Sequence, residues 1–278
     1  MAGTLDDKYN YLMDTKNLIR AAIAGKGVEV SDETTLREYA ALIDSISVVD
    51  TSADTLAALV DGTITEYALP SGATRVRSGL FADCGELVSV TLPDTIEVIG
   101  QYAFYGCGNL AINSLPDGLA EVERYAFDYC HKLALTSLPS WLTRIQDSAF
   151  RRCDELALTK LPETLTYIGE AAFCYCYKLA ISAIPSGVTQ IQSYAFAHCH
   201  GITDMTIHPH VTSVAGAAFA CDINLTTVTF EGTPSDIDKS AFLDCTAITT
   251  INCPWSEGAV ENAPWGAVNA TINYDYTG

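Results

Sequence analysis

Leu80-Phe81-Ala82-Asp83-Cys84-Gly85-Glu86-Leu87-Val88-Ser89-Val90-Thr91-Leu92-Pro93-Asp94-Thr95-Ile96-Glu97-Val98-Ile99-Gly100 is the stretch on which the fold turns, because its landmarks return every 23 residues. Phe81, Phe104, Phe127, Phe150, Phe173, Phe196, Phe219 and Phe242 stand at that interval, and one further step lands on Trp265. A fixed period of this length means stacked copies of one supersecondary unit, each touching mainly its neighbours.

The companions of the phenylalanine keep the same register. Alanine precedes it in seven copies (Ala103, Ala126, Ala149, Ala172, Ala195, Ala218, Ala241), and Cys84, Cys107, Cys130, Cys153, Cys176, Cys199 and Cys245 follow it three residues later. Aliphatic residues come six after it (Leu87, Leu110, Leu133, Leu156), eleven after it (Leu92, Leu115, Leu138, Leu161) and eighteen after it (Ile99, Val122, Ile145, Ile168). Each turn thus gives one aromatic, one thiol and several aliphatics to a shared interior. Leu69, Pro70 and Val76 form half a unit before Phe81, and Trp265 with Thr271-Ile272-Asn273-Tyr274 closes the far end with a last strand. The strands are not alike. Copies two to five place the second apolar residue one position early, at Ile112, Leu135, Leu158 and Ile181. A one-residue slip exchanges inside for outside. The spacing therefore predicts a local kink or bulge, with Asn113, Thr136, Thr159 and Ser182 more exposed than Val90 or Val228.

Written as Ala/Leu-Phe-x-x-Cys-x-x-Leu-x-x-Val-x-Leu-Pro-x-x-Ile-x-x-Ile-Gly, the unit is a variant of the leucine-rich repeat, with a strand at Leu-x-x-Val-x-Leu and a return arm ending in a short helical turn. From about Ile64 to about Tyr274 it resembles the BspA-like (Treponema-type) leucine-rich repeats of bacterial and protist surface proteins. The expected fold is an α/β repeat: a solenoid of about eight units with capping half-repeats, preceded by a small helical hairpin. The resemblance implies a protein- or glycan-binding module at a bacterial cell surface, engaged in adhesion or host interaction.

Residues 1–50 carry none of the repeat. Leu5, Tyr9, Leu12, Lys16, Ile19 and Ile23 make one stripe of an amphipathic helix that Gly25 and Gly27 end. Thr35 and Glu38 are a capping box opening a second helix, with Leu36, Tyr39, Ala40, Ile43 and Ile46 as its apolar face. This pair either seals the solenoid or mediates self-association or attachment through the first helix. Thr15-Lys16 through Ile23, Lys26-Gly27-Val28 and Leu36-Arg37-Glu38-Tyr39-Ala40 resemble a helical module of Firmicutes phage and prophage structural proteins, which implies an alternative role in a phage or prophage particle, structural or receptor-binding. The expected division is a helical segment over 1–50 and a solenoid over 51–278, with regular repeats over about 64–252 and a cap over 253–278.

Fifteen basic against 34 acidic residues give a net charge of −19, and no basic stripe appears, so a nucleic-acid partner is not expected. No apolar run approaches the length of a membrane span. Met1 to Asn10 show no secretory signal, which leaves retention in the cell, exit with a larger assembly, or a start after processing. Catalytic motifs are missing, and neither a cofactor nor a metal site is expected: Cys174-x-Cys176 lacks a second pair, and His198-x-His200 and His208-x-His210 fall at opposite ends of a strand. The periodic thiols read as small buried apolar groups, and the off-register Cys174 and Cys253 as the exposed, reactive candidates. One composition points to recognition. His131, Asp154, Tyr177 and His200 all stand four after the phenylalanine, and Tyr105, Tyr129, Arg151, Arg152, Tyr175 and His198 run just before them. Tyrosine, arginine and histidine along one edge form a candidate binding ribbon.

Overall fold

The computed structural model describes residues 62–277. The helices expected in the first fifty residues, and the further turn read at Thr55 to Val60, lie outside the described residues.

The described chain is a parallel β-solenoid in which every coil repeats the same three stretches. The first carries the strands β1 (Glu66–Ala68), β3 (Ser89–Thr91), β9 (Asp204–Ile207), β11 (Thr227–Phe230), β13 (Thr250–Asn252) and β14 (Thr271–Asn273). The second carries two-residue strands: β2 (Arg75–Val76), β4 (Val98–Ile99), β5 (Glu121–Val122), β6 (Arg144–Ile145), β7 (Tyr167–Ile168), β8 (Gln190–Ile191), β10 (Ser213–Val214) and β12 (Asp236–Ile237). In this second stretch β2-β4-β5-β6-β7 and β8-β10-β12 form two parallel sheets, each buried Ile or Val opposite its equivalent one coil away. Gly100 and Gly169 let this arm approach its neighbour: a Cβ would lie 2.7 Å from the backbone nitrogen of Ser78 or 2.5 Å from that of Asp147.

The third stretch contains the phenylalanine, and here the sequence expectation is corrected. Among the described residues none is helical, so the repeat is β and turn rather than α/β, and the expected helical turn is absent. Residues two before and two after the phenylalanine take positive φ, for example Tyr125 (57°) and Tyr129 (63°), or Tyr194 (57°) and His198 (60°). These left-handed residues turn alternate amides outward along the stack. Phe127 donates its N–H to the Ala149 carbonyl at 2.8 Å and Tyr129 to that of Arg151 at 2.9 Å, while the intervening Asp128 closes a local turn on Tyr125. A helix would satisfy these amides within the coil. Here they join coil to coil.

Inside, the rings of Phe81 through Phe242 stack with centroids 5.1 to 5.7 Å apart and nearly parallel planes. All are fully buried, as is Trp265 in the ninth aromatic slot. Offset stacking of this kind adds about 0.5–1.5 kcal/mol per pair beyond burial. At the carboxyl end Phe230, Trp255 and Trp265 pack edge to face, and β14 adds the last strand to β13.

The slip sets exposure as expected, but in place of the expected bulge the strand itself is lost, and Ile112 is only half-buried. Leu135, Leu158 and Ile181 are buried, whereas Asn113, Thr136, Thr159 and Ser182 are exposed; Val90 and Val228 point inward. No regular strand forms at these middle copies, and the first-stretch ladder breaks between β3 and β9. A shallow depression of about 570 Å³ lies at the first break, between Ser89–Asp94 and the segment 111–117.

Candidate functional site

The ribbon residues all sit on the phenylalanine turn, and coil stacking brings equivalent positions into columns. The column two after the phenylalanine is continuous from Tyr129 to His198. The Arg152 guanidinium carbon lies 5.2 Å from the Tyr129 ring centroid and 4.4 Å from that of Tyr175, and His198 stacks on Tyr175 at 4.2 Å with a 9° interplanar angle. Tyrosine, arginine, tyrosine and histidine thus form one stack. Each has positive φ, but so do the equivalent residues in other copies, such as Asp83 and Asp244, so this backbone strain belongs to the coil and not to the ribbon. Burial, with His200 and Arg152 close by, holds the His198 imidazole below its usual pKa.

Two columns flank the stack. Four after the phenylalanine, His131 Nδ1 lies 2.9 Å from Asp154 Oδ2, and the Tyr177 and His200 rings meet at 5.1 Å. Burial raises the Tyr177 phenol, and the nearby Asp154 carboxylate adds to the shift. One after the phenylalanine, Arg151 behaves differently from its neighbour. It donates from Nε and Nη2 to the two oxygens of Asp128 at 2.9 and 2.6 Å, and Asp128 is fully buried. Burial pushes the Asp128 carboxyl up against the pull of Arg151. Burial alone would lower the Arg151 guanidinium, but the hydrogen bond and charge of Asp128 carry it above its usual value. With a side chain only 13% exposed, Arg151 is a structural clamp beneath the ribbon.

The structure brings nine of the ten candidate residues onto one strip, with Arg151 beneath it, and adds two that sequence reasoning missed. Tyr102 and Tyr125, two before their phenylalanines, stack at 4.8 Å; Tyr105 meets Tyr102 and Tyr129 edge-on, and Arg151 spans Tyr125 and Tyr129. Their signal is the same 23-residue step, which links Tyr102 to Tyr125.

The reading of the thiols is corrected in two ways. They are donors as well as packing groups: Cys107, Cys130, Cys153, Cys176 and Cys199 each place Sγ 3.0–3.2 Å from the carbonyl oxygen of the preceding coil's phenylalanine. Cys174 and Cys253, expected to be exposed, are buried, and burial pushes their thiols up to about 11 and about 12. Both then lack the thiolate that reactivity needs. Among the described residues, no cluster of three or more His, Cys, Asp or Glu could hold a metal ion, and no helix is long and apolar enough to cross a membrane.

Comparison with known proteins agrees with this geometry. A crystal structure of a leucine-rich repeat protein from Bacteroides ovatus, 18% identical, covers 76% of this chain and 69% of its own with a TM-score of 0.50, which shows the shared fold. The T. pallidum leucine-rich repeat protein is 29% identical over 66% of this chain and 77% of its own, with a TM-score of 0.49. A leucine-rich cell surface protein from Faecalibacterium prausnitzii is 18% identical over 77% of this chain and 88% of its own, with a TM-score of 0.33. No curated protein matches the chain. The family model for the BspA type leucine rich repeat region matches residues 59–180 and 178–263. With the repeat register, the coil geometry and a family match over most of its length, the chain belongs to the BspA-type leucine-rich repeat proteins.

Proposed function

We propose that the chain is a non-enzymatic binding module that uses the turn ribbon to hold a glycan or protein ligand at a bacterial cell surface. The observation that carries this reading is the stack Tyr129–Arg152–Tyr175–His198, flanked by Tyr177, His131 and His200. Aromatic and arginine side chains locked by mutual stacking lose little conformational freedom on binding, and such residues dominate recognition energetics. The stack spans four successive coils, so a ligand lying along the solenoid meets several anchors at once.

Binding to immobilised mucin glycans and extracellular-matrix proteins tests the reading. Tyr129→Ala, Arg152→Ala and Tyr175→Ala are each expected to weaken capture about tenfold or more, in the range of anchor residues. Thr91→Ala and Thr229→Ala, on the strand stretch, are expected to leave it unchanged. Equal binding by all five variants would remove the ribbon from the function.

A further inference from the structure

We propose that Arg152 is an anion fork and that the ribbon's ligand is a glycan bearing a carboxylate on an acidic sugar. This rests on the ribbon reading and names its substrate class. Arg151 and Arg152 are adjacent in sequence and opposite in circumstance. Arg151 spends its donors on buried Asp128. Arg152 has no carboxylate partner among the described residues, and its faces are covered by Tyr129 and Tyr175. A planar guanidinium held this way keeps its N–H donors along the rim, in the arrangement that takes a carboxylate through two parallel hydrogen bonds.

The surrounding charges isolate it. His131 is matched by Asp154, Lys178 pairs with Glu155, and Lys132 donates to Asn109 at 2.7 Å. Arg152 is the ribbon arginine whose donors no described carboxylate takes, although its charge reaches buried Asp128. In a chain of net charge −19, one guanidinium with unbonded donors suits a ligand with one negative group and not a polyanion.

The same geometry favours a sugar over an acidic peptide. The faces of Tyr129, Tyr175 and His198 are turned toward Arg152 and one another, so apolar side chains find little ring face to cover. What the strip presents is the partly exposed edges of Tyr129, Tyr175, Tyr177 and His200, while the Asp154 carboxylate is held by His131. Donors and acceptors repeating at the spacing of one coil, roughly 5 Å, match a hydroxyl-rich chain.

An array of paired oligosaccharides tests this, each pair ending in a sialic or hexuronic acid or in the same sugar with its carboxylate removed as the methyl ester. Acidic members are expected to bind about tenfold or more tightly than their partners, as a charged bidentate contact allows. Arg152→Gln should erase that preference while circular dichroism shows the fold intact, and Arg152→Lys should restore part of it. If acidic and neutral members bind equally and Tyr175→Ala abolishes both, the anion fork is wrong and the ribbon stands. If acidic members bind but neither Arg152→Gln nor Tyr175→Ala weakens them, the ribbon reading itself falls. Binding of an acidic peptide and of no glycan overturns the proposal.

Discussion

At the scale of single residues, Asp222 shows most clearly how the core is wired. It fills the cysteine slot of the seventh copy, is fully buried, and accepts the Cys199 N–H at 2.6 Å through Oδ1, while Oδ2 has no partner. Of the eight repeat phenylalanines, only Phe196 receives neither the usual amide nor the next coil's thiol at its carbonyl. A protonated Oδ2 would donate where the thiol does in other coils. Burial pushes the Asp222 carboxyl well above its usual pKa, against the pull of the Cys199 amide, which agrees with a proton held there. A carboxyl with a raised folded-state pKa stabilises most below the ordinary value of about 3.9, and its contribution is lost as pH rises through the folded value. Asp222→Asn keeps the acceptor, supplies an N–H donor and cannot ionise. We expect it to raise stability by about 1–3 kcal/mol near neutral pH, with the gain shrinking below pH ~4. Denaturant titrations across pH check this; a gain independent of pH, or a loss, would contradict it.

At the scale of elements, the slip in the middle strands is legible in the amino-acid pattern alone. It rests on one alternation: Leu135 and Leu158 precede Thr136 and Thr159, where Val90 follows Ser89. Side chains in an extended segment take opposite faces, so the pattern determines which of each pair is buried. Leu135→Ala is therefore expected to cost about 2–5 kcal/mol, and Thr136→Ala no more than about 0.5 kcal/mol. Comparable losses, measured by thermal or urea unfolding, would mean that the slip is not real. The turn is less legible. Positive φ falls mostly on Tyr, Ala, Ser and Arg, which carry little signal for a left-handed backbone, and only in scattered copies on Gly79, Asp83, Gly106, His198 or Asp244, so the stretch reads as helical. Only the coil-to-coil hydrogen bonds make that conformation worth its cost of roughly 1–2 kcal/mol per residue. Burial of Cys174 is hidden for a related reason. It packs with Ala197, Ala217 and Ala220 on neighbouring coils, a cluster that no single repeat displays.

At the scale of the whole molecule, the 23-residue period does two jobs. It stacks the phenylalanines into one interior, and it stacks whatever occupies the free positions into surface columns. The candidate ribbon's membership is legible from that arithmetic. The separation of Arg151 from Arg152 is not, because it depends on Asp128 lying beneath one of them. The Tyr129–His198 stack joins cationic and aromatic side chains over four coils, whereas Arg144 over Tyr167 on the second stretch joins only two. Hydrogen-exchange protection along the full chain, with and without a saturating sialylated oligosaccharide, tests the role of this stack most directly. Slowed exchange is expected only in the turns around Tyr129, Arg152, Tyr175 and His198, with the strand stretch of β9, β11 and β13 unchanged. Protection centred on the strand stretch, or on the depression between Ser89–Asp94 and 111–117, would contradict it.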